Sequence, residues 1–152
     1  MLPQNSMNKF FTIGYGNRTP AEFINALQAH GVKTVVDVRI RPDRARLGCY
    51  VKAKTPDKGI EKLLTAAGIN YQSFPELGNP FRDVEDWVEP FCRLFESDGS
   101  KLTERLVRLV GTGEIVQPLC LLCAEKKPQD CHRTIVADWL VRNLGWEAMQ
   151  IV

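Results

Sequence analysis

Apolar positions along the chain change period several times, and each change marks an element. Phe10-Phe-Thr-Ile-Gly14 is a short apolar run closed by glycine, which predicts a first strand. Thr19-Pro20-Ala21-Glu22 has the chemistry of a helix start, with a hydroxyl cap, proline in the first turn and a glutamate able to reach back. Phe23, Ile24 and Leu27 give that helix an apolar face, and Gly31 supplies its left-handed stop. Residues 32–38 are rich in β-branched side chains, as a buried parallel strand requires.

The periodicity then lapses from Arg39 to Pro56, a connection long enough to suggest a functional loop. Asp57 is placed to cap a helix carrying Ile60, Leu63 and Leu64 and ended by Gly68. Ile69–Phe74 alternates as a third strand, and Pro75–Pro80 has turn composition. Apolar positions from Val84 to Phe95 predict helix, with Pro90 imposing a kink or a division into two short helices. Leu102, Leu106, Val107 and Val110 mark a further helix ended near Gly111 or Gly113. Pro118–Cys123 is continuously apolar, as a central strand is, and Ile135, Val136, Trp139 and Leu140 define the last helix. Residues 146–152 return as a fifth strand.

Strands and helices alternating in this way predict a three-layer α/β fold: a mainly parallel sheet of about five strands with helices on both faces. One domain over residues 9–152 is expected, preceded by a short flexible leader over 1–8, and Met7 is an alternative start. No apolar run approaches the roughly 20 residues that a membrane-spanning helix needs. The five cysteines are odd in number and scattered, which argues for reduced thiols and a cytoplasmic location.

Charge changes this picture locally. Residues 33–58 carry eight basic and three acidic groups, a net +5 on a chain whose total is +2. Such a stretch is either a solvated loop or an anion site. Ligands of open parallel sheets bind beyond the carboxyl ends of the strands. Just past the expected strand ends stand Gly14 and Tyr15, then Asp37, Arg39 and Arg41, then Glu76, and finally Cys123 and Glu125 leading to Cys131, His132 and Arg133. The unusual polar clusters thus fall on one edge. Asp130 is a reasonable cap for a helix beginning there, whose free N–H groups would favour an anion and lower the pKa of Cys131.

The roles follow from side-chain chemistry. Arg39, Arg41 and Arg133 suit phosphate or carboxylate. Asp37 and Glu125 suit acid/base or metal-binding work, His132 proton transfer, and Cys131 nucleophilic attack. Gly14, Tyr15 and Cys123 are expected beside the ligand, Tyr15 stacking on a base or lining the cleft. Each has a plainer alternative: Asp37 holds Arg39, Glu125 pairs with Arg133, and Cys131 fills space. Familiar nucleotide motifs are missing. Thr19 stands where the third glycine of a dinucleotide loop belongs, and there is no Walker sequence. Ala137 and Gln129 stand where the phosphatase Cys-x5-Arg loop requires arginine.

Thr12-Ile-Gly14-Tyr15, then Asp37-Val-Arg39 with Pro42, then Leu121-Leu-Cys123-Ala-Glu125 running to Cys131-His132-Arg133, resemble the domain-of-unknown-function family 488 over essentially the whole chain from about residue 10. The resemblance implies a three-layer α/β domain and supplies no activity. By it, the motif positions are Gly14, Asp37, Arg39, Cys123, Glu125, Cys131, His132 and Arg133.

Three readings fit these residues. One is an enzyme acting on a phosphate-bearing substrate, a nucleotide or nucleic acid. Another is a binding module using the same anion site without a reaction. The third is a structural clamp or a zinc site at Cys123, Cys131 and His132, whose spacing matches no standard finger or ribbon. The residues name no cofactor and no oligomeric state.

Overall fold

The computed structural model describes residues 8–125 and 131–152. Five strands form one all-parallel sheet: β1 (Lys9–Gly14), β2 (Thr34–Asp37), β3 (Asn70–Ser73), β4 (Leu119–Cys123) and β5 (Glu147–Gln150), in the spatial order β3-β2-β4-β1-β5. β4 is made late but lies in the centre, with Phe11 in register with Cys120 on one side and Val35 on the other. All five of its residues are buried, as its unbroken apolar sequence demands.

Side chains alternate between the two faces. Ile13, Val35, Cys120 and Leu122 face a layer that includes Phe23 and Leu27 of α1 (Pro20–Ala29) and Ile60 and Leu64 of α2 (Gly59–Ala66). Val36, Leu119, Leu121 and Cys123 face the other layer. That layer is built from α3 (Val88–Leu102), α4 (Glu104–Thr112) and α5 (Arg133–Leu144), through Phe91, Phe95, Leu106, Val136 and Leu140. Each such side chain, fully buried, contributes roughly 1.5–3 kcal/mol relative to exposure. The three-layer α/β architecture is therefore as the residue pattern predicts. Among the described residues, no helix is long and apolar enough to cross a membrane.

α1 forms as its sequence dictates. Thr19 Oγ1 accepts from the Glu22 N–H at 3.1 Å, Glu22 accepts from the Thr19 N–H at 2.8 Å, and Gly31 takes φ +69° just past the helix end. Two other expectations fail. Lys58, not Asp57, occupies the N-cap of α2 and makes no side-chain cap bond, while Asp57 accepts a hydrogen bond from Thr55 instead. Pro90 produces no break: it is the third residue of α3, where its missing N–H has no helical partner to lose. A single helix consequently runs on to Leu102. Asp130, expected to cap α5, lies outside the described residues; the N-cap position belongs to His132, which makes no side-chain cap bond.

The long connection after β2 is folded against the body of the chain. Gly48–Tyr50 forms a single 3-10 turn, and Tyr50 is buried, stacked on Tyr15 at 4.4 Å between ring centroids and donating to the Arg18 carbonyl at 2.8 Å. The Lys52 N–H bonds the Pro42 carbonyl at 2.7 Å.

Candidate functional site

Beyond the carboxyl ends of β1, β2 and β4 lies a cavity of about 330 Å³. Its wall carries four arginines, Arg39, Arg41, Arg44 and Arg82, with Tyr15 and Trp87 among them. Cys123, Cys131 and His132 line it as well, together with Asn79, Asp83 and Glu125.

Arg39 is the fixed cation. Its side chain turns back onto Asp37, which sits at the end of β2 with no exposed surface. Asp37 Oδ1 accepts from the Arg39 backbone N–H at 3.1 Å and from Nε at 2.9 Å, and Oδ2 accepts from Nη2 at 2.7 Å. The Tyr71 hydroxyl, from the neighbouring β3, donates to Oδ2 at 2.5 Å. Nη1 is left pointing toward the Tyr15 hydroxyl, 3.5 Å away. Burial disfavours the charge on Arg39, but the hydrogen bonds and charge of Asp37 outweigh it and hold the pKa above the ordinary arginine value. Burial, and then the Asp37 carboxylate, push the Tyr71 hydroxyl up as well, so it stays a donor. Asp37 thus has four donors on its two oxygens and is not among the residues that line the cavity.

The second wall is made by the β4 end and the entry to α5. His132 is buried, and its Nε2 lies 2.7 Å from the Val38 carbonyl oxygen. A carbonyl only accepts, so Nε2 carries hydrogen in this contact and Nδ1 is the ring nitrogen turned to the other side. There, Cys123 Sγ lies 3.5 Å and Cys131 Sγ 3.9 Å from Nδ1. The two thiols differ. The Cys131 hydrogen bond lowers the Cys123 pKa against the effect of burial, with help from nearby backbone N–H groups and Arg133. Cys131 itself is pushed up, chiefly by burial and then by Cys123. The direction at Cys131 is thus opposite to the lowering expected there, with burial as the first cause. The first amide of α5, Arg133 N–H, approaches the Cys131 sulfur at 3.5 Å and is not open to a ligand.

Arg133 also departs from expectation. It is fully buried, is not on the cavity wall, and donates from Nη1 to the Glu125 backbone carbonyl at 2.5 Å. The expected partnership with Glu125 therefore exists through the backbone, while the Glu125 residue is exposed at the cavity. Gly14 makes this possible: a Cβ there would stand 1.5 Å from the Glu125 oxygen and 2.9 Å from Arg133 Nη1. Gly14 and Arg133 form the support beneath the site. Arg41 lies at the rim, exposed and paired with Asp43 at 3.3 Å. Glu76, also expected on this edge, is bound instead by Arg105 at 2.8 Å.

Residue reasoning missed Arg44, Asn79, Arg82, Asp83 and Trp87. Arg44 belongs to the +5 segment and was available from it. Asn79 and its neighbours follow β3 and obey the same carboxyl-edge rule, but Pro75–Pro80 reads only as turn chemistry. Gly78 carries the chain inward there, since a Cβ would meet the Ile40 backbone at 2.6 Å.

A parallel three-layer α/β domain with an arginine-lined cavity at the carboxyl edge of its sheet is the class of protein that this geometry defines. The chain belongs to the family described as Domain of unknown function DUF488, whose model matches residues 19–140. The matched stretch holds Asp37, Arg39, Cys123, Glu125 and the Cys131–Arg133 segment, while Gly14 and Tyr15 precede it. Comparison with curated proteins and with solved structures returned no match.

Proposed function

We propose that the cavity binds a phosphate-bearing ligand, a nucleotide or the exposed end of a nucleic acid, and that the chain acts on it. The observation that carries this reading is Arg39: a buried guanidinium locked by Asp37, on a wall that three more arginines share. A guanidinium held in place before the ligand arrives loses less conformational freedom on binding than a free one. Trp87 beside the arginines offers aromatic surface to a base, while the Tyr15 ring is already stacked on Tyr50 with the Arg39 guanidinium over it. Asp83 and Glu125 on the same wall oppose an anion, so the favourable position for phosphate is on the arginine side.

The presence of Cys123, Cys131, His132 and Glu125 in the same cavity favours a reaction over binding alone, because binding needs none of them. Calorimetric titration with inorganic phosphate, mononucleotides and short oligonucleotides at two salt concentrations tests the reading. Binding that weakens with salt, and falls at least about tenfold in both Arg39→Gln and Arg82→Gln, is expected. Binding unaffected by either variant, or none at all, overturns it. Phosphate release or strand cleavage on incubation separates the enzyme from the binding module, for which ligand would be retained unchanged.

A further inference from the structure

We infer that Cys123, Cys131 and His132 form a metal site for a thiophilic divalent ion, zinc in the first instance, facing the arginine cavity. The three donor atoms, two Sγ and Nδ1, all lie within 4.8 Å of one another, and all three residues are buried. A tetrahedral zinc with Zn–S bonds of about 2.3 Å and a Zn–N bond of about 2.0 Å sets sulfur and nitrogen roughly 3.5 Å apart. The Nδ1 distances to Cys123 and Cys131 are 3.5 and 3.9 Å. Both nitrogen–sulfur spacings are therefore close to those around a bound ion, and the two sulfurs, within 4.8 Å of each other, need only draw together to the roughly 3.8 Å of a tetrahedral site.

The imidazole is oriented for this task. Its Nε2–H is taken by the Val38 carbonyl at 2.7 Å, which fixes the ring and leaves Nδ1 as the ligating atom. A histidine ligand commonly has its other nitrogen bound in this way, and the outer bond sets both tautomer and direction. A structural clamp would need no such gathering: two thiols and an imidazole nitrogen within 4.8 Å of one another make a poor hydrophobic plug, and only one proton can lie on each sulfur–nitrogen line. On binding, the metal takes the place of the two thiol protons, which leave to solvent.

Three protein ligands among the described residues leave one tetrahedral position open, as in catalytic and not in closed structural sites. Because Cys123, Cys131 and His132 all line the cavity, water or an oxygen of the bound anion takes that position. The site stands on its own donors and does not depend on the phosphate reading.

Titration of the reduced full-length chain with Co(II) provides the test. Saturation at one ion per chain is expected, with the visible absorption of tetrahedral cobalt and a near-ultraviolet thiolate charge-transfer band. Zn(II) should displace it. Cys123→Ser, Cys131→Ser and His132→Gln should each weaken binding by more than about 100-fold, since loss of an outer-shell partner alone costs up to that. Cys92→Ser, a substitution outside the cluster, should leave the spectrum unchanged. No stoichiometric uptake, a spectrum without thiolate charge transfer, or cobalt binding indifferent to all three variants overturns the inference. If the variants do not fold, X-ray absorption of the zinc-loaded wild type decides: two sulfurs and one nitrogen support the site, and a shell without sulfur overturns it.

Discussion

Asp37 grips the guanidinium of Arg39, two residues further along the chain, with both carboxylate oxygens at 2.9 and 2.7 Å. Both side chains are almost entirely removed from solvent. Attraction between such groups does not by itself stabilise a fold, because each charge is first taken out of water. Removing one partner is a different matter. Asp37→Asn keeps the shape and deletes the charge, leaving a buried guanidinium without its counter-ion. A loss of about 3–5 kcal/mol is expected in urea unfolding. Arg39→Met added to Asp37→Asn should recover part of that loss, a non-additivity of at least about 1 kcal/mol. Simple addition of the two effects would mean that the pair is not coupled.

Gly14 is required by space, not by backbone conformation. Its added Cβ would lie 1.5 Å from the Glu125 carbonyl oxygen, which is itself held by Arg133. The obstacle is main chain and cannot swing aside. Gly14→Ala should therefore cost about 3 kcal/mol, at the upper end for overpacking, and lower Tm by roughly 6–12 °C. An unchanged Tm would show that the β4 end is not seated on Gly14.

Tyr50 makes stability depend on pH in the alkaline range. Burial is the main cause that pushes its hydroxyl up to about 12, with nearby Cys49 adding to it. The folded state thus prefers the neutral phenol. The associated stability is fully present below the unfolded tyrosine value of about 10 and is lost as pH rises toward about 12. Unfolding free energy measured from pH 9 to 11.5 should fall, and Tyr50→Phe should flatten part of that slope. Ultraviolet titration should show one phenol fewer ionising near pH 12 in the variant than in the native protein. At neutral pH the same substitution removes the bond to the Arg18 carbonyl and should cost about 1 kcal/mol.

Much of the fold is written locally. The Thr19-Pro20-Glu22 cap, the Gly31 stop and the unbroken apolar run of β4 each need only a few adjacent residues to be read. Pro90 misleads because its effect depends on where the helix begins, and α3 begins at Val88 without a capping side chain to announce it. Gly99 is similarly opaque: a glycine inside a helix looks like a weakness, yet a Cβ there would stand 2.1 Å from the Trp139 ring of α5.

For the site, the carboxyl-edge rule brings Tyr15, Arg39, Arg41, Cys123, Glu125, Cys131 and His132 to one cavity, and this much was legible. Direction was not. Position at a helix start does not reveal that Arg133 turns beneath β1 and β4, nor that Asp37 faces Arg39 and Tyr71 and not the opening. Those facts depend on partners 8 to 34 residues away, or on which way one side chain turns.

The central place of β4 has a consequence for synthesis. β1 and β2 are not neighbours; β4 joins them, pairing Thr12 with Leu121 and Val36 with the same residue. Until that strand leaves the ribosome, only β2 and β3 have each other, and β1 lacks both partners. Pairings so distant in sequence close slowly, and the waiting strands are apolar. A nascent chain stopped before residue 119 would therefore carry three unsatisfied strand edges, two on β1 and one on β2, and no cavity. The arginine cavity can take shape only once β4 and the start of α5 have been made.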